Sequence, residues 1–493
     1  MPFQRVRILL TLLMLLPSGV QASAHRMADD HADIQYERNE VVPLLGHDPR
    51  DPSLSRQERG RLYLRLGILD LRSQRYADAI DDFDQVLSRT QSLPALIDRA
   101  IAYTALGKLD LAIASYSSAI ALDPQAVIPL INRADIYAKR KQFELAVADY
   151  SSALALQPDN ASAYFERATA RLELSLYALA ADDYVEAARQ RPTDAPLRFL
   201  AGISYLRAGL LDDAIASFTA AIQLDPAYAS NYTQRGTAYM RAGRDGDALA
   251  DFSTAIRLDA KEVDARLLRA EEFEKFNQLG LAIADYTATL ALTSHPERVY
   301  IYRADDLTEI GQDVAAQRDY DRASRIAPDD LHLRIGRMRF WFYQGEYWKA
   351  IQDANRWLEL AHLNNSGGDE QEPYVLAWRH MSTARLRLND NLAAAANYLD
   401  KRAWPYPVIA YYLGEIDAQQ LLIEANVGDQ EGLAGRQCEA YSYLGESYMA
   451  RRQNGDAKRA FEGAISICPT TSVERILAKR ELANFAKSKN INR

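Results

Sequence analysis

An alanine returns every 34 residues, at Ala112, Ala146, Ala180, Ala214, Ala248, Ala282, Ala316 and Ala350. A chain with a fixed period of this length folds as an array of like units, each burying its apolar face against its neighbours. Other residue types travel with the period. Four residues after the first seven alanines stands an aromatic: Tyr116, Tyr150, Tyr184, Phe218, Phe252, Tyr286 and Tyr320. Three further on comes a small residue, from Ala119 to Ala323, with Thr289 as the one exception to alanine. Twelve before each alanine is another small one: Ala100, Ala134, Ala168, Gly202, Gly236, Ala270 and Ala304. Such spacings put the residues on one helical face. A Gly or polar turn divides the two runs. Pro124, Pro158, Pro192, Pro226 and Pro328 end the second run, because proline lacks an N–H and disfavours helix in the residue before it. Each unit is predicted to be helix, turn, helix.

The pattern of small, small, aromatic, small and Pro over 34 residues resembles the tetratricopeptide repeat. The resemblance implies an all-α fold: a right-handed superhelical solenoid of stacked helix-turn-helix repeats, with the first helices on its concave face. Units begin near residues 93, 127, 161, 195, 229, 263, 297 and 331, and an earlier one near Gly60 uses Gly67, Ala79 and Phe83. Met338, Ala354 and Trp357 make the unit from Leu331 degenerate. The array of about nine repeats spans 59–364. A loop follows at 365–373, then degenerate helical pairs at 374–437. In that stretch Trp378, Ala394 and Tyr398 sit near repeat positions, and Val408 to Asn426 reads as one long helix. Residues 438–471 are a clear C-terminal repeat. A capping helix and tail at 472–493 would cover the last apolar face.

Residues 1–24 read as a signal peptide. Arg5 and Arg7 precede an apolar run, and Ala22-Ser23-Ala24 is a small-x-small cleavage site. Residues 25–58 form a polar leader. The expected location is periplasmic or secreted. A net charge of −9 argues against a nucleic-acid footprint, which needs a basic face. No later segment is apolar enough to span a membrane.

Two residue types recur together. Arg133, Arg167, Arg235, Arg269, Arg303 and Arg337 share one position on the first helix, while Asp149, Asp183, Asp251, Asp285, Asp319 and Asp353 share one on the second. Asp arrives in most units where Arg does, so the pairing reads as a structural ladder of partly buried ion pairs. The chain has two cysteines, Cys438 and Cys468. They fall at the ends of the two helices of one hairpin and are expected to form a disulfide if the chain is secreted.

On the face that the resemblance assigns to ligands, Ile97, Ile101, Ile131, Phe165, Leu172, Phe199, Ile203 and Leu206 form an apolar strip in the early repeats. Glu271, Glu274, Asp305 and Glu309 follow in the later ones. This suggests a peptide with apolar anchors and basic groups toward the C-terminal half. The alternative is that the strip packs against neighbouring helices or against the chain's own leader. Family members that clamp a terminal carboxylate use Lys and Asn, which positions five and nine of these units lack. Asn132, at position six, stands alone.

The sequence holds no phosphate loop, nucleophile elbow or zinc-spaced Cys/His set. Asp29-Asp30-His31-Ala32-Asp33 reads as a solvated polar run, and no metal or cofactor is expected. The expectation is a non-enzymatic scaffold or adaptor for protein or peptide partners in the envelope. A component of a secretion or polysaccharide-export assembly is the second reading, and an enzyme with a site between repeats is the third. Self-association through Trp341, Trp348 and Trp357 stays open.

Overall fold

The computed structural model describes residues 55–363, 370–430, 432–470 and 472–491. The described residues hold 25 helices and no strand, and the chain divides into two compact units at Pro226 and Ala227. The signal segment, residues 25–54 of the leader and the Asp29–Asp33 cluster lie outside the described residues, while 56–58, expected to belong to the leader, open the first helix.

The first unit contains five helical hairpins. They are α1 (Arg56–Arg72) with α2 (Tyr76–Leu87), α3 (Leu93–Ala105) with α4 (Leu109–Leu122), α5 (Val127–Lys139) with α6 (Phe143–Leu156), α7 (Ala161–Glu173) with α8 (Tyr177–Gln190), and α9 (Ala195–Ala208) with α10 (Leu211–Leu224). Helix α1 opens with a capping box, in which Ser55 accepts from the Glu58 N–H and Glu58 accepts from that of Ser55. Inside each hairpin the turn passes through one left-handed residue. It is glycine at Gly107 and Gly209 but Gln74, Lys141 and Ser175 elsewhere.

The small and aromatic positions interlock by a rule that joins two separate columns of the repeat. Wherever the first helix carries glycine, the aromatic is Phe: Gly67 with Phe83, Gly202 with Phe218, Gly236 with Phe252, Gly445 with Phe461. Wherever it carries alanine, the aromatic is Tyr. A Cβ on Gly202 would lie 2.6 Å from the Phe218 ring, so the phenyl ring occupies the space a methyl would need. The tyrosine rings serve a second role, described below.

The Arg–Asp ladder is present. Arg133 Nε and Nη2 donate to Asp149 at 2.7 and 2.8 Å, and the pairs Arg167–Asp183, Arg235–Asp251, Arg269–Asp285, Arg303–Asp319 and Arg337–Asp353 repeat that fork. A third nitrogen reaches back to the preceding hairpin: Arg133 to Ser117 at 2.7 Å, Arg167 to Ser151 at 2.9 Å, Arg303 to Thr287 at 2.8 Å. Each of these arginines therefore ties its own hairpin together and fastens it to the one before. Arg99, whose unit has Ser115 in place of the aspartate, takes Asp84 of the preceding hairpin at 2.5 Å.

The second unit continues with four hairpins: α11 (Ala229–Arg241) and α12 (Asp245–Leu258), α13 (Val263–Lys275) and α14 (Leu279–Leu290), α15 (Glu297–Glu309) and α16 (Asp313–Ile326), α17 (Leu331–Tyr343) and α18 (Tyr347–Leu363). Then regularity stops. Helix α19 (Glu372–Leu386) is followed by the short α20 (Leu392–Ala396), α21 (Tyr406–Leu413) and α22 (Ala418–Glu424). The expected single helix over Val408–Asn426 is thus two, broken where Gly414 takes a left-handed conformation. Tyr398, near an aromatic position of the repeat in sequence, is 84% exposed. A last hairpin, α23 (Leu433–Ala450) with α24 (Asn454–Ile467), leads to α25 (Val473–Ile491).

The degenerate unit from Leu331 exchanges sizes across one helical turn. Ala354 stands where an aromatic is usual and Trp357 where a small residue is usual, and both are buried. They join one large core with Met338, Phe342, Trp378, Ile409 and Tyr443.

Candidate functional site

First helices of adjacent hairpins touch one another at α1–α3, α3–α5 and α5–α7 in the first unit and at α11–α13 and α15–α17 in the second. Their outward residues therefore form one face per unit. In the first unit this face carries Asp98 on α3, Asn132 and Asp135 on α5, and Glu166 and Thr169 on α7. The tyrosines of the repeat send their hydroxyls to it. Tyr150 donates to Asp135 at 2.5 Å, Thr169 pairs with the Tyr184 hydroxyl at 3.3 Å, and Asn132 donates to the Tyr116 oxygen at 3.2 Å. Units with Phe218 and Phe252 have Ile203 and Thr237 at the matching first-helix position. Each of these three tyrosines thus has a polar partner on a first helix.

Partial desolvation on this crowded face raises the pKa of Asp98, Asp135 and Glu166 above the ordinary carboxylate range. Asp135 pushes Glu166 further by like-charge repulsion, while the Tyr150 hydrogen bond opposes the rise at Asp135. None of the three forms an ion pair among the described residues.

The predicted apolar strip lies mostly inside the packing. Ile97, Ile131, Phe165, Leu172, Phe199 and Ile203 are half-buried. Phe165 meets Tyr184 edge-on at 5.7 Å and Phe199 tilts against Phe218 at 5.8 Å. Leu206 is only 7% exposed and belongs to the core, which corrects its assignment to the groove. Ile101, at 36%, is the exposed member. The reason is geometric: at position five an aromatic or branched side chain reaches the ring of its own hairpin before it reaches solvent.

In the second unit the acidic residues gather. Glu271 and Glu274 on α13 and Asp305 and Glu309 on α15 share the first-helix face. Tyr286 donates to Glu274 and Tyr320 to Asp305, each at 2.5 Å. Burial first, and then Asp305, Glu271 and Glu309, push Glu274 up to about 7. Asp306, only 5% exposed, is pushed up to about 9 by burial and by Glu274, Asp305 and Glu309. Its Oδ2 has no hydrogen-bond partner among the described residues.

This face has a cationic neighbour from its own chain. Helix α25 covers the last hairpin, with Leu477 and Ala478 buried, and its other edge returns to α15–α17. Arg480 reaches Asp313 at 2.8 Å and the Thr308 carbonyl. Tyr343 donates to the Val473 carbonyl at 3.2 Å, and Lys479 draws the Glu309 pKa down against its burial. Basic groups were expected here from a partner; the chain supplies Lys479 and Arg480 itself.

Cys438 and Cys468 are disulfide-bonded and join α23 to the end of α24. Cys438 sits inside α23, which begins earlier than expected, at Leu433. Glu439 is pushed up to about 8 by burial and by Glu474. Its oxygens are engaged by Trp404 Nε1 at 2.7 Å and by the Tyr374 hydroxyl at 3.4 Å, a packed, hydrogen-bonded setting. Among the described residues no group of three His, Cys, Asp or Glu could hold a metal ion, and no helix is long and apolar enough to cross a membrane. Of the three tryptophans considered for self-association, Trp357 is buried, Trp341 half-buried and Trp348 58% exposed.

Comparison with known families matches two models. One described as TPR repeat covers 101–140 and 134–175, and one described as tetratricopeptide repeat covers 168–229 and 233–296. Among solved structures the chain is similar to the C-terminal part of a TPR repeat-containing protein from Cytophaga hutchinsonii. That match has 20% identity and a TM-score of 0.40, over 48% of this chain and 98% of the other. It is also similar to YrrB, described as a TPR protein with an unusual peptide-binding site, at 22% identity and a TM-score of 0.34, over 38% and 97%. The MamA protein matches at 22% identity and a TM-score of 0.31, over 34% and 93%.

Proposed function

We propose that this chain, a tetratricopeptide-repeat protein, holds a basic, partly apolar peptide segment of an envelope protein on the first-helix face of its first unit. The repeats indicate a protein–protein interaction scaffold, and the fold is generally a non-catalytic one. One observation carries the finer reading. Asp98, Asp135 and Glu166 stand on three consecutive first helices with no ion-paired cation among the described residues, beside the exposed Ile101. The ladder carboxylates Asp149 and Asp183 of the same hairpins are each paired to an arginine. Carboxylates without an ion pair along a ridge favour a partner of opposite sign and steer its approach, although Arg72 lies near enough to Asp98 to oppose its raised pKa. The Cys438–Cys468 bond supports an oxidising compartment, in keeping with residues 1–24 as a signal peptide.

A peptide panel tests the reading, using Lys/Arg-bearing peptides with leucine anchors against charge-reversed and scrambled controls, read by fluorescence anisotropy. The basic peptides should bind, and binding should weaken with salt. The double variant Asp98→Asn, Glu166→Gln should weaken it by about tenfold, roughly 1.4 kcal/mol. Equal binding of the charge-reversed peptide, or an unchanged affinity in the variant, would refute the assignment. N-terminal sequencing of the exported protein should give His25 as the first residue.

A further inference from the structure

We propose that the cleft between α18, α19 and α20 is a binding pocket for a small organic monocarboxylate with an apolar body, and that the Arg379 guanidinium is its counter-charge. The cleft is about 670 Å³, within the range of small-molecule sites. Leu358, Leu376, Ala394 and Ala395 give it apolar walls, and Arg379 and Asn391 give it polar ones.

Arg379 is the feature that asks for a ligand. At 8% exposure it is the only arginine among the described residues that is buried. Its guanidinium bonds neutral amide oxygens: Asn391 Oδ1 at 2.8 Å and Asn355 Oδ1 at 3.4 Å. Among the described residues its Nε has no partner, and no carboxylate stands within ion-pair distance. The acid that influences it most, Asp390, already accepts from His380 Nδ1 at 2.8 Å, Thr383 Oγ1 at 3.3 Å and the Leu392 N–H at 3.2 Å. One and a half turns further along the same helix, Arg385 shows the usual solution, with Glu446 and Glu481 at 2.8 and 2.9 Å. A desolvated cation without its anion is costly to keep. A cation kept beside an apolar cleft fits a carboxylate, which takes a guanidinium edge as a planar match.

The remaining lining narrows the class. Glu372 borders the same cleft, with His362 3.7 Å from its carboxylate. A second negative charge on the ligand would face Glu372. The pocket therefore favours a monocarboxylate over a dicarboxylate or a phosphate. The site lies in the second unit and does not depend on the peptide-binding reading.

The test uses the purified full chain with octanoate, octanol and octanedioate as probes, read by ligand-observed NMR and calorimetry up to about 10 mM. Octanoate should bind at least about tenfold more tightly than either of the others. Arg379→Gln should remove that preference. Because that variant could unfold the C-terminal region, Ala394→Trp serves as the second. It changes an exposed wall residue, fills the cleft and leaves the guanidinium in place, and it should abolish octanoate binding with an unchanged melting temperature. Octanol binding as well as octanoate, octanoate binding unaltered in Ala394→Trp, or no saturable octanoate binding would each overturn the proposal.

Discussion

The first unit and the C-terminal half of the second solve the same packing problem in different ways. In the first, each hairpin joins the next through a small cluster built on one ring. Tyr150 packs with Ala134, Ala146 and Ala170, and Tyr184 with Ala168, Ala180 and Leu197. No such cluster needs to know what happens two repeats away. From α17 onward, Met338, Trp357, Trp378, Tyr406, Ile409, Tyr443 and Leu477 belong to one core. There the residues come from helices of unequal length, and Arg385 binds carboxylates from two distant segments. A one-dimensional array and a consolidated end can therefore coexist in one chain. The regular part leaves acidic groups without ion-paired cations on its first-helix face. The consolidated part sends α25 back across its own.

Deletion of a bridging charge would probe that contrast most sharply. Arg385→Ala strands Glu446, 2% exposed, and Glu481, 8% exposed. It should cost about 3–5 kcal/mol and act on the second unit alone, seen as lost hydrogen-exchange protection in α23 and α25 with α3–α8 unchanged. Arg133→Ala, which leaves Asp149 unpaired, should produce the mirror result, with protection lost in α5 and α6. Equal loss in both units from either variant would mean the two regions fold as one cooperative body.

Next in size is the ring rule. Gly202→Ala places a methyl 2.6 Å from the Phe218 ring and should destabilise by about 1–3 kcal/mol. The triple variant Gly202→Ala, Phe218→Tyr, Ile203→Asp rewrites the unit in the pattern of Ala134, Tyr150 and Asp135, and should recover most of the loss in a urea melt. No recovery would show that the paired columns do not report ring seating.

Smaller is the effect of pH on the second unit. Asp306 has its folded pKa raised to about 9 from 3.8, and Glu274 to about 7 from 4.5. Both hold protons in the folded state that the unfolded chain has released. Their contribution is therefore fully present below about pH 4 and is lost as pH rises through 7 and 9. Asp306→Asn should raise the melting temperature at pH 8 by about 2–4 °C per kcal/mol recovered and leave it nearly unchanged at pH 4. A wild-type melting temperature flat from pH 5 to 9 would contradict the burial of that carboxylate.

The smallest expected change lies in the turns. Lys141 and Ser175 adopt φ of 59° and 58° where other units use glycine. Lys141→Gly should stabilise by up to about 1 kcal/mol, since a side chain in the left-handed region costs about that much or more. A loss of stability would show that chain entropy at the turn outweighs the strain.

Much of the fold was legible because a repeat states its packing many times. Ala112 or Tyr116 alone means little; alanine with an aromatic four residues on, seven times over, and Pro closing five of the units, report two helices and their buried faces. The Arg–Asp columns carried their own partners in the same way. The site was less legible. The repeat pattern leaves position five open between ligand face and packing; Phe165 and Phe199 reach the rings of their own hairpins, and Leu206 is core. The hydroxyl partners Ser117, Ser151 and Thr287 belong to the preceding unit, so the pattern within one unit does not pair them with their arginines. No periodic signal pointed to Arg379, which occurs once.

By itself, then, the sequence determined what is local and repeated: hairpin length, ring seating, turn position and the in-hairpin ion pairs, all set by contacts within about one period. Tertiary structure alone decided what is single and distant. The return of α25 to Asp313, the double pairing of Arg385 and the lone charge of Arg379 depend on segments 12 to 167 residues apart. Contacts made once leave no pattern to compare, and their energy appears only when the chain has closed the loops that bring them together.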